Sequence, residues 1–358
     1  MSKRLLSVIL ILGLVFSSSF KAQSLDETLS KLSSTVGKAY VKPVISAFGS
    51  NLNSGWVSQF PSQTKLGFHL DLKIVAMGSF FPSDVKNFTA SGGFYFSGSQ
   101  VDQILQGSNY TPATIGQTNY NNLKQQIVAQ QFNVNFSGPT IVGSKNDYLK
   151  IQFPGQTVTS GSTSYTVQAY NVAVQEVKGF LDGIPAFPTA AAQLTVGTVF
   201  GTNVAVRYLP DIDIKDMGKF KYFGAGIIHN PGVWFPNPLP LDLTVGIFTQ
   251  KLTVGSIFES KATQMGIYAS KTFGFIISVT PYVGLTTESS KTTVSYDYIS
   301  NQTLNGVPVK AHISMEMEGE NTSSAVVGLN IHLGILNINA DYKLAKTKTA
   351  SAGVSFGF

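Results

Sequence analysis

A chain of 358 residues has room for one large domain, and its charged residues amount to only 12 % against 43 % hydrophobic, about half the charge of an ordinary globular chain. The formal net charge of +6 is spread without any basic block, which excludes a partner read through a phosphate backbone. The lack of cysteine excludes disulfides, thiolate metal sites, a lipid-modified Cys and a Cys nucleophile.

Residues 1–22 read as a secretory leader. Lys3 and Arg4 form its charged start, Leu5 to Phe16 its apolar core, and Ser17, Ser18 and Ser19 lead to a cut expected after Ala22,. After the leader, no segment approaches the ~18 uninterrupted apolar residues of a spanning helix. Residues 23–60 form the next segment. Leu25, Leu29, Leu32, Val36, Tyr40 and Ile45 recur at helical spacing, Asp26 and Glu27 sit in the first turn, and Pro43 is expected to kink or divide the helix,. Asn51 to Gly55 then makes a polar turn. Such a helix ahead of a barrel either plugs the lumen or hangs in the periplasm.

Residues 61–358 are expected to form the barrel itself. In the first clear strand, Leu66, Phe68, Leu70, Leu72, Ile74 and Ala76 face one way, and His69, Asp71 and Lys73 the other,. Charge on one face implies a hydrated interior rather than a dry core. Residues 78–189 are the least legible. Gly92 to Ser97, Gln131 to Ser137, Tyr148 to Phe153 and Tyr165 to Val177 have strand character. Val101 to Leu105 and Tyr120 to Ala129 are weakly helical, and Gly98 to Gln126 as a whole reads as a long outer loop,. From Ala190 onwards nine strands alternate regularly. Pro210 to Gly218 reads as a polar loop carrying Asp211, Asp213 and Asp216; these lack the pattern of a calcium loop and are expected to be solvated. Two stretches, Phe275 to Ile299 and Val307 to Leu333, exceed the ~9–11 residues that cross a bilayer. They read as twin strands that leave the membrane together and meet at Asn301–Gly306, or else as two extra hairpins at Ser289–Ser290 and Glu318–Asn321. The last strand, 349–358, alternates strictly and ends on Phe358, with Phe356 on the same apolar face. This pattern looks like the closing strand and assembly signal of an outer-membrane barrel. With three or five strands before Ala190, the total is about 14, or 12.

The fold class is therefore all-β: a transmembrane antiparallel β-barrel with a short N-terminal helical segment, in the bacterial outer membrane. Candidate lumen-lining residues are His69, Asp71, Lys73, Arg207, His312, His332, Asn337, Asn339 and Asp341. Trp56, Tyr208, Tyr222, Trp234, Phe235, Tyr268, Phe273 and Tyr342 are expected near strand ends as an interfacial girdle,. Trp234 and Phe235, set among prolines, are also candidates to narrow one mouth,. No nucleophile, cofactor or metal motif stands out, and neither an enzyme nor a cofactor is expected. The expected partners are outer-membrane lipid, the barrel assembly machinery and small hydrophobic solutes, with the chain a monomer.

The helix ending in Asn51–Leu52–Asn53–Ser54–Gly55–Trp56, the Pro-rich turn before Leu239–Pro240–Leu241–Asp242–Leu243 and the long twin strands resemble an uncharacterised family of outer-membrane barrels. That family is distantly similar to the FadL-type transporters of long-chain fatty acids and aromatic hydrocarbons. The resemblance implies 14 strands, a plug from the N-terminal segment and passage of hydrophobic molecules. The alternative is a non-transporting scaffold or surface receptor acting through long outer loops.

Overall fold

The computed structural model describes residues 34–357 apart from Ser58, Ser162, Glu176, 215–217, Pro238 and 305–306, and it leaves the side chains of 296–313 undescribed. The leader and its cut site, the first part of the N-terminal helix, Asp216, the His312 side chain and Phe358 fall outside the described residues. The chain divides into two compact units.

The first unit is a closed barrel. Its strands are β1 (Leu66–Phe80), β8 (Ala186–Val199), β9 (Thr202–Ile214), β10 (Gly218–His229), β11 (Asp242–Val254), β12 (Phe258–Ser270), β14 (Ile277–Leu304), β16 (Ser323–Leu333), β17 (Leu336–Leu344) and β18 (Thr349–Gly357). Each pairs antiparallel with its neighbours, and β1 closes onto β18 with Asp71 opposite Gly357 and Ser79 opposite Thr349. The count is ten, not 14 or 12. Nine of the ten lie after residue 185, and only β1 precedes them. The stretch 82–184 supplies none.

The pleat sorts the side chains cleanly. Along β1 the inward Asp71, Lys73, Val75, Met77 and Ser79 are buried, while the outward Leu72, Ile74 and Phe80 are exposed. The same alternation gives an outer wall of Leu194, Val196, Val204, Ile227, Ile247, Met265, Leu285, Val327, Ile338, Val354 and Phe356. Water would expel so continuous an apolar surface. Among the described residues no helix is long and apolar enough to cross a membrane; a barrel crosses with strands.

One rim carries the turns at 200–201, 230–241, 271–276 and 334–335 together with the C-terminal end of β18. The opposite rim carries a ribbon. There β14 runs on past the barrel and pairs with β15 (Val307–Glu318), from Lys291 opposite Glu318 to Leu304 opposite Val307. The twin strands are thus one long hairpin, and the two extra hairpins do not form. Asp211 and Asp213 lie within β9 rather than in a loop, because the β9–β10 ladder continues to Ile214 opposite Gly218.

The second unit takes in 82–184. A four-stranded sheet has the order β2 (Asn87–Phe94), β3 (Phe132–Pro139), β4 (Leu149–Phe153) and β7 (Tyr170–Val174), and β5 (Gln156–Ser160) pairs with β6 (Thr163–Val167). Gly98–Gly107 and Gln117–Ala129 are helices, called α2 and α3 here, so the expected long loop is structured. A Ser97–Gln100 capping box starts α2,. Phe96, Phe132 and Phe153 pack edge to face or tilted at 5.2–5.7 Å, joined by buried Val101, Ile104, Leu105, Leu123 and Ile127.

Helices α2 and α3 are tied by Asp102, which accepts from Lys124 at 2.6 Å and from Tyr120 Oη at 2.6 Å. Those two hydrogen bonds hold the Asp102 carboxyl below its ordinary range. A depressed carboxyl stabilises at pH values above its unfolded pKa, and that contribution is lost as pH falls through the folded one. Asp102→Asn should therefore lower amide-exchange protection over 98–129 at pH 6. The gap to the parent should close in acid, once both side chains are uncharged. A gap that persists unchanged in acid would remove the carboxylate from the account.

Candidate functional site

The helix α1 (Ser34–Leu52) contains Pro43 without interruption. From Val44 on, the chain runs through the barrel lumen. Phe48 meets Phe187 and Phe258 near the ribbon rim. Trp56 lies midway, and at the turn rim Asn230 Nδ2 donates to Pro61 O while Gln63 Nε2 donates to Asp242. The segment therefore threads the barrel from end to end and turns back as β1.

An α-helix leaves its last carbonyls without partners and carries partial negative charge there. The last turn of α1 has no basic residue. The barrel wall supplies them instead. Lys343 Nζ donates to Ser50 O at 2.8 Å and more weakly to Asn53 O at 3.4 Å. Arg207 Nη2 donates to Ser54 O at 3.0 Å, and Lys73 Nζ to Gly55 O at 2.8 Å. Gln250 donates to Leu52 O and Gln193 to Trp56 O. Gly55 has φ +64°, and a Cβ there would stand 2.8 Å from Val75; both facts call for glycine. Arg207 also lies 3.9 Å over the Trp56 ring, which stacks on Phe248 at 4.9 Å, a cation–π contact shielded from water.

Lys73, Arg207 and Lys343 are each at most 1 % exposed. Lys343 pairs with Glu288, equally buried, at 2.9 Å. Asp71 is buried, and Asp341 is half-buried and accepts from Tyr282 Oη at 3.1 Å. Asn337 and Asn339 are buried; Asn337 Oδ1 accepts from Gln59 and lies 2.7 Å from His332 Nδ1. His69 Nε2 and both Asp71 carboxylate oxygens find no partner among the described residues. Polar atoms of this kind are met by water in a hydrated lumen. The structure thus places His69, Asp71, Lys73, Arg207, His332, Asn337, Asn339 and Asp341 on inward strand positions. It brings Lys73 and Arg207 together on the plug, and His332 and Asn337 together toward the turn rim. Their partners, the plug carbonyls, leave no trace in sequence. Sequence reasoning missed Glu288, Gln193 and Gln250; the alternation within β17 does mark Lys343 as inward, but not its role on the plug.

The aromatics divide. Phe356 faces outward between Leu72 and Leu336. Trp234 and Phe235 are exposed at the turn rim, where Trp234 stacks on Phe200 at 5.7 Å and its indole N–H donates to His229. Tyr208 and Phe273 are exposed too. Trp56, Tyr222 and Tyr268 are not girdle residues: all three are buried in the lumen, where the plug gives them packing partners.

Between plug and wall, near the ribbon rim, lies an apolar cavity of about 130 Å3. Phe48 and Leu52 of the plug line it, with Met77, Phe187, Ala191, Leu209, Phe220, Tyr222 and Leu252 of the wall. It coincides with a break in the sheet. The β8–β9 ladder runs from Val199–Thr202 to Gln193–Arg207 and stops. Beyond it, 186–192 pairs with β1 alone and 208–214 with β10 alone. Residues from both unpaired edges, Phe187 to Ala191 on one and Leu209 and Ile212 on the other, line the cavity.

The signature of a family of unknown function (DUF6588) matches residues 1–358. No curated protein matches the chain. Among solved structures, a loop-deletion mutant of OmpT, an outer membrane protein of Vibrio cholerae, shares 9 % identity over 82 % of this chain and 98 % of its own, with a TM-score of 0.22. OpdK, an outer membrane protein from Pseudomonas aeruginosa, shares 7 % over 82 % of this chain and 99 % of its own, at 0.17. A BenF-like porin from Pseudomonas fluorescens Pf-5 shares 8 % over 81 % and 98 %, at 0.12. The barrel assignment rests on the strand pairing described above, not on these likenesses.

The buried ion pair gives a direct test. Lys343→Met leaves Glu288 charged and unpaired in the lumen and should cost about 3–5 kcal/mol, read as a lower unfolding midpoint in detergent. Adding Glu288→Met should recover most of that loss. An equal midpoint for Lys343→Met and the parent would mean that the pair is solvated.

Proposed function

We propose that this chain, which belongs to the DUF6588 family, is an outer-membrane barrel that passes small hydrophobic molecules by way of the apolar cavity and the unpaired β8–β9 edges. Such a route would suit the hydrophobic compounds that the resemblance to FadL-type transporters implies. The single observation that carries it is the coincidence of an apolar lumen cavity with a break in the barrel wall. Each alone is ordinary; together they join the lumen to the outer wall. The threaded plug supports the same route, since it occupies the axis and is held at both rims. A solute travelling along the axis meets buried cations and carbonyls, whereas one entering through the wall meets Phe, Leu and Met. A cavity of ~150 Å3 accommodates a benzene ring, so molecules of about one ring or a short acyl chain suit its size. The apolar outer wall supports a membrane location, and the secretory leader read in the sequence supports export.

The test is uptake into vesicles reconstituted with the full chain. Ala191→Phe fills the cavity and leaves in place the wall cations that hold the plug. It should slow entry of a small aromatic reporter several-fold and leave entry of a sugar of similar size unchanged. Removing 44–55 should raise leakage of both. If Ala191→Phe leaves aromatic uptake at the parent's rate, the cavity is not on the route.

A further inference from the structure

The outward faces of β11, β12 and β14 carry an unusual order of chemistry toward the ribbon rim. Ile247 stands opposite Met265, with Ile227 of β10 on its other side, and Met265 stands opposite Thr287 of β14. The next outward rung is hydroxyl: Thr249 opposite Thr263, opposite Ser289. The next is basic: Lys251 directly opposite Lys261, directly opposite Lys291. The rung beyond holds Glu259 and Glu316, separated by Thr293. Like charges set directly opposite on neighbouring strands repel, and a solvated collar relieves this by alternating signs between strands. Here three lysines stand side by side on β11, β12 and β14, and the sign changes only at the end of the row, where Lys291 faces Glu318, and one rung beyond it. One carboxylate, Glu259, serves both Lys251 at 2.6 Å and Lys261 at 2.8 Å, while Lys291 reaches Glu316 at 2.7 Å and faces Glu318 in register. All three lysines remain about half exposed.

We propose that Lys251, Lys261 and Lys291 form a binding row for the anionic headgroups of membrane lipid. The inference rests on the membrane reading above. The occupant follows from position and charge. The row lies one hydroxyl rung outside the apolar band on β11 and β12 and two on β14, at the depth where acyl chains give way to phosphate-bearing headgroups. Its neighbours on the band side offer hydroxyl hydrogen bonds; Glu259 and Glu316 lie one rung farther from the acyl chains, and Glu318 closes the row beside Lys291. A phosphate at this depth replaces the second carboxylate that Lys251 and Lys261 lack.

The experiment compares the parent with a triple variant, K251Q/K261Q/K291Q, both as full chains in bilayers mixing zwitterionic and phosphatidylglycerol lipid. Lipid retained through detergent extraction is weighed by native mass spectrometry. The parent should retain phosphatidylglycerol preferentially, and the preference should fall by about fivefold for each lysine removed. The corresponding Lys→Arg triple should keep it. Inorganic phosphate at matched concentration should not displace the lipid, which separates a headgroup site from one for free phosphate. Equal lipid selectivity in the parent and the Lys→Gln triple overturns the proposal, as does displacement by inorganic phosphate. Insertion into purely zwitterionic bilayers is measured beside it. Insertion without selectivity overturns the lysine row alone, and failure of the parent to insert overturns the membrane reading with it.

Discussion

The chain enters its own barrel at one rim and leaves at the other, and the rest of the molecule depends on that threading. A plug tethered at one end can swing out; a plug tethered at both cannot. The segment 44–63 is continuous with β1 at the turn rim, where Asn230 and Asp242 hold Pro61 and Gln63. The carbonyls of Ser54 and Gly55, just past the helix end, would be orphaned against an apolar wall, at a cost of about 1–3 kcal/mol each, and Ser50 O at the helix end would keep only Ser54 Oγ. Lys73, Arg207 and Lys343 answer them. In turn, burial of three cations is tolerable because each donates to plug oxygen and the lumen also holds Asp71, Glu288 and Asp341. Plug and wall are therefore one electrostatic unit, and neither is satisfied without the other.

That unit closes the axis but does not fill the barrel evenly. Toward the ribbon rim the plug turns the Phe48 and Leu52 side chains to β8, β9 and β10, and that part of the wall answers with apolar groups, while Lys343 holds Ser50 O from β17. The β8–β9 ladder ends at the level of Arg207, the residue that fixes Ser54. Toward the ribbon rim the plug is still held by Lys343 on Ser50 O and by Asn321 on Ser50 Oγ, but the part of the wall beside the broken ladder meets it mainly through less directional apolar contacts. Open strand edges in lipid are costly, and side chains of the plug meet part of the need, as where Asn51 Nδ2 donates to Phe187 O. A break that the barrel sustains at this cost, beside a cavity of matching chemistry, supports a route through the wall.

Much of the barrel was legible because period two is a strong signal where one face is apolar and the other polar. β17 shows it: Ile338, Ala340 and Tyr342 against Asn337, Asn339 and Asp341. The same signal misled the strand count. β3 alternates as cleanly, with Phe132, Val134 and Phe136 buried and Asn133 and Asn135 exposed, but its apolar face packs into the core of the second unit. Periodicity announces a strand and says nothing of which sheet it joins. The aromatics failed for a related reason. Trp56 and Tyr268 near strand ends look alike whether they face lipid or lumen, and only the plug, a partner hundreds of residues away for Tyr268, decides. The lumen charges were readable as inward. Their task was not, because a carbonyl oxygen has no sequence signature.

The asymmetry between the rims ties these observations together. At the turn rim the β8–β9 ladder is paired down to Val199 and Thr202 and the plug is clamped by Asn230. At the ribbon rim lie the cavity, the broken ladder, the long β14–β15 hairpin and the lysine rung. β11, β12 and β14 show how one strand serves both sides: inward Leu252, Ala262 and Glu288 face the plug region, while outward Lys251, Lys261 and Lys291 stand within a residue or three of them. Because the pleat fixes both sets with a single register, a slip of one residue would put ammonium groups in the lumen and expose the partner of Lys343. The register is thus constrained from inside by the plug and from outside by the graded wall, and the half of the barrel that carries the proposed route is the half most tightly specified by charge.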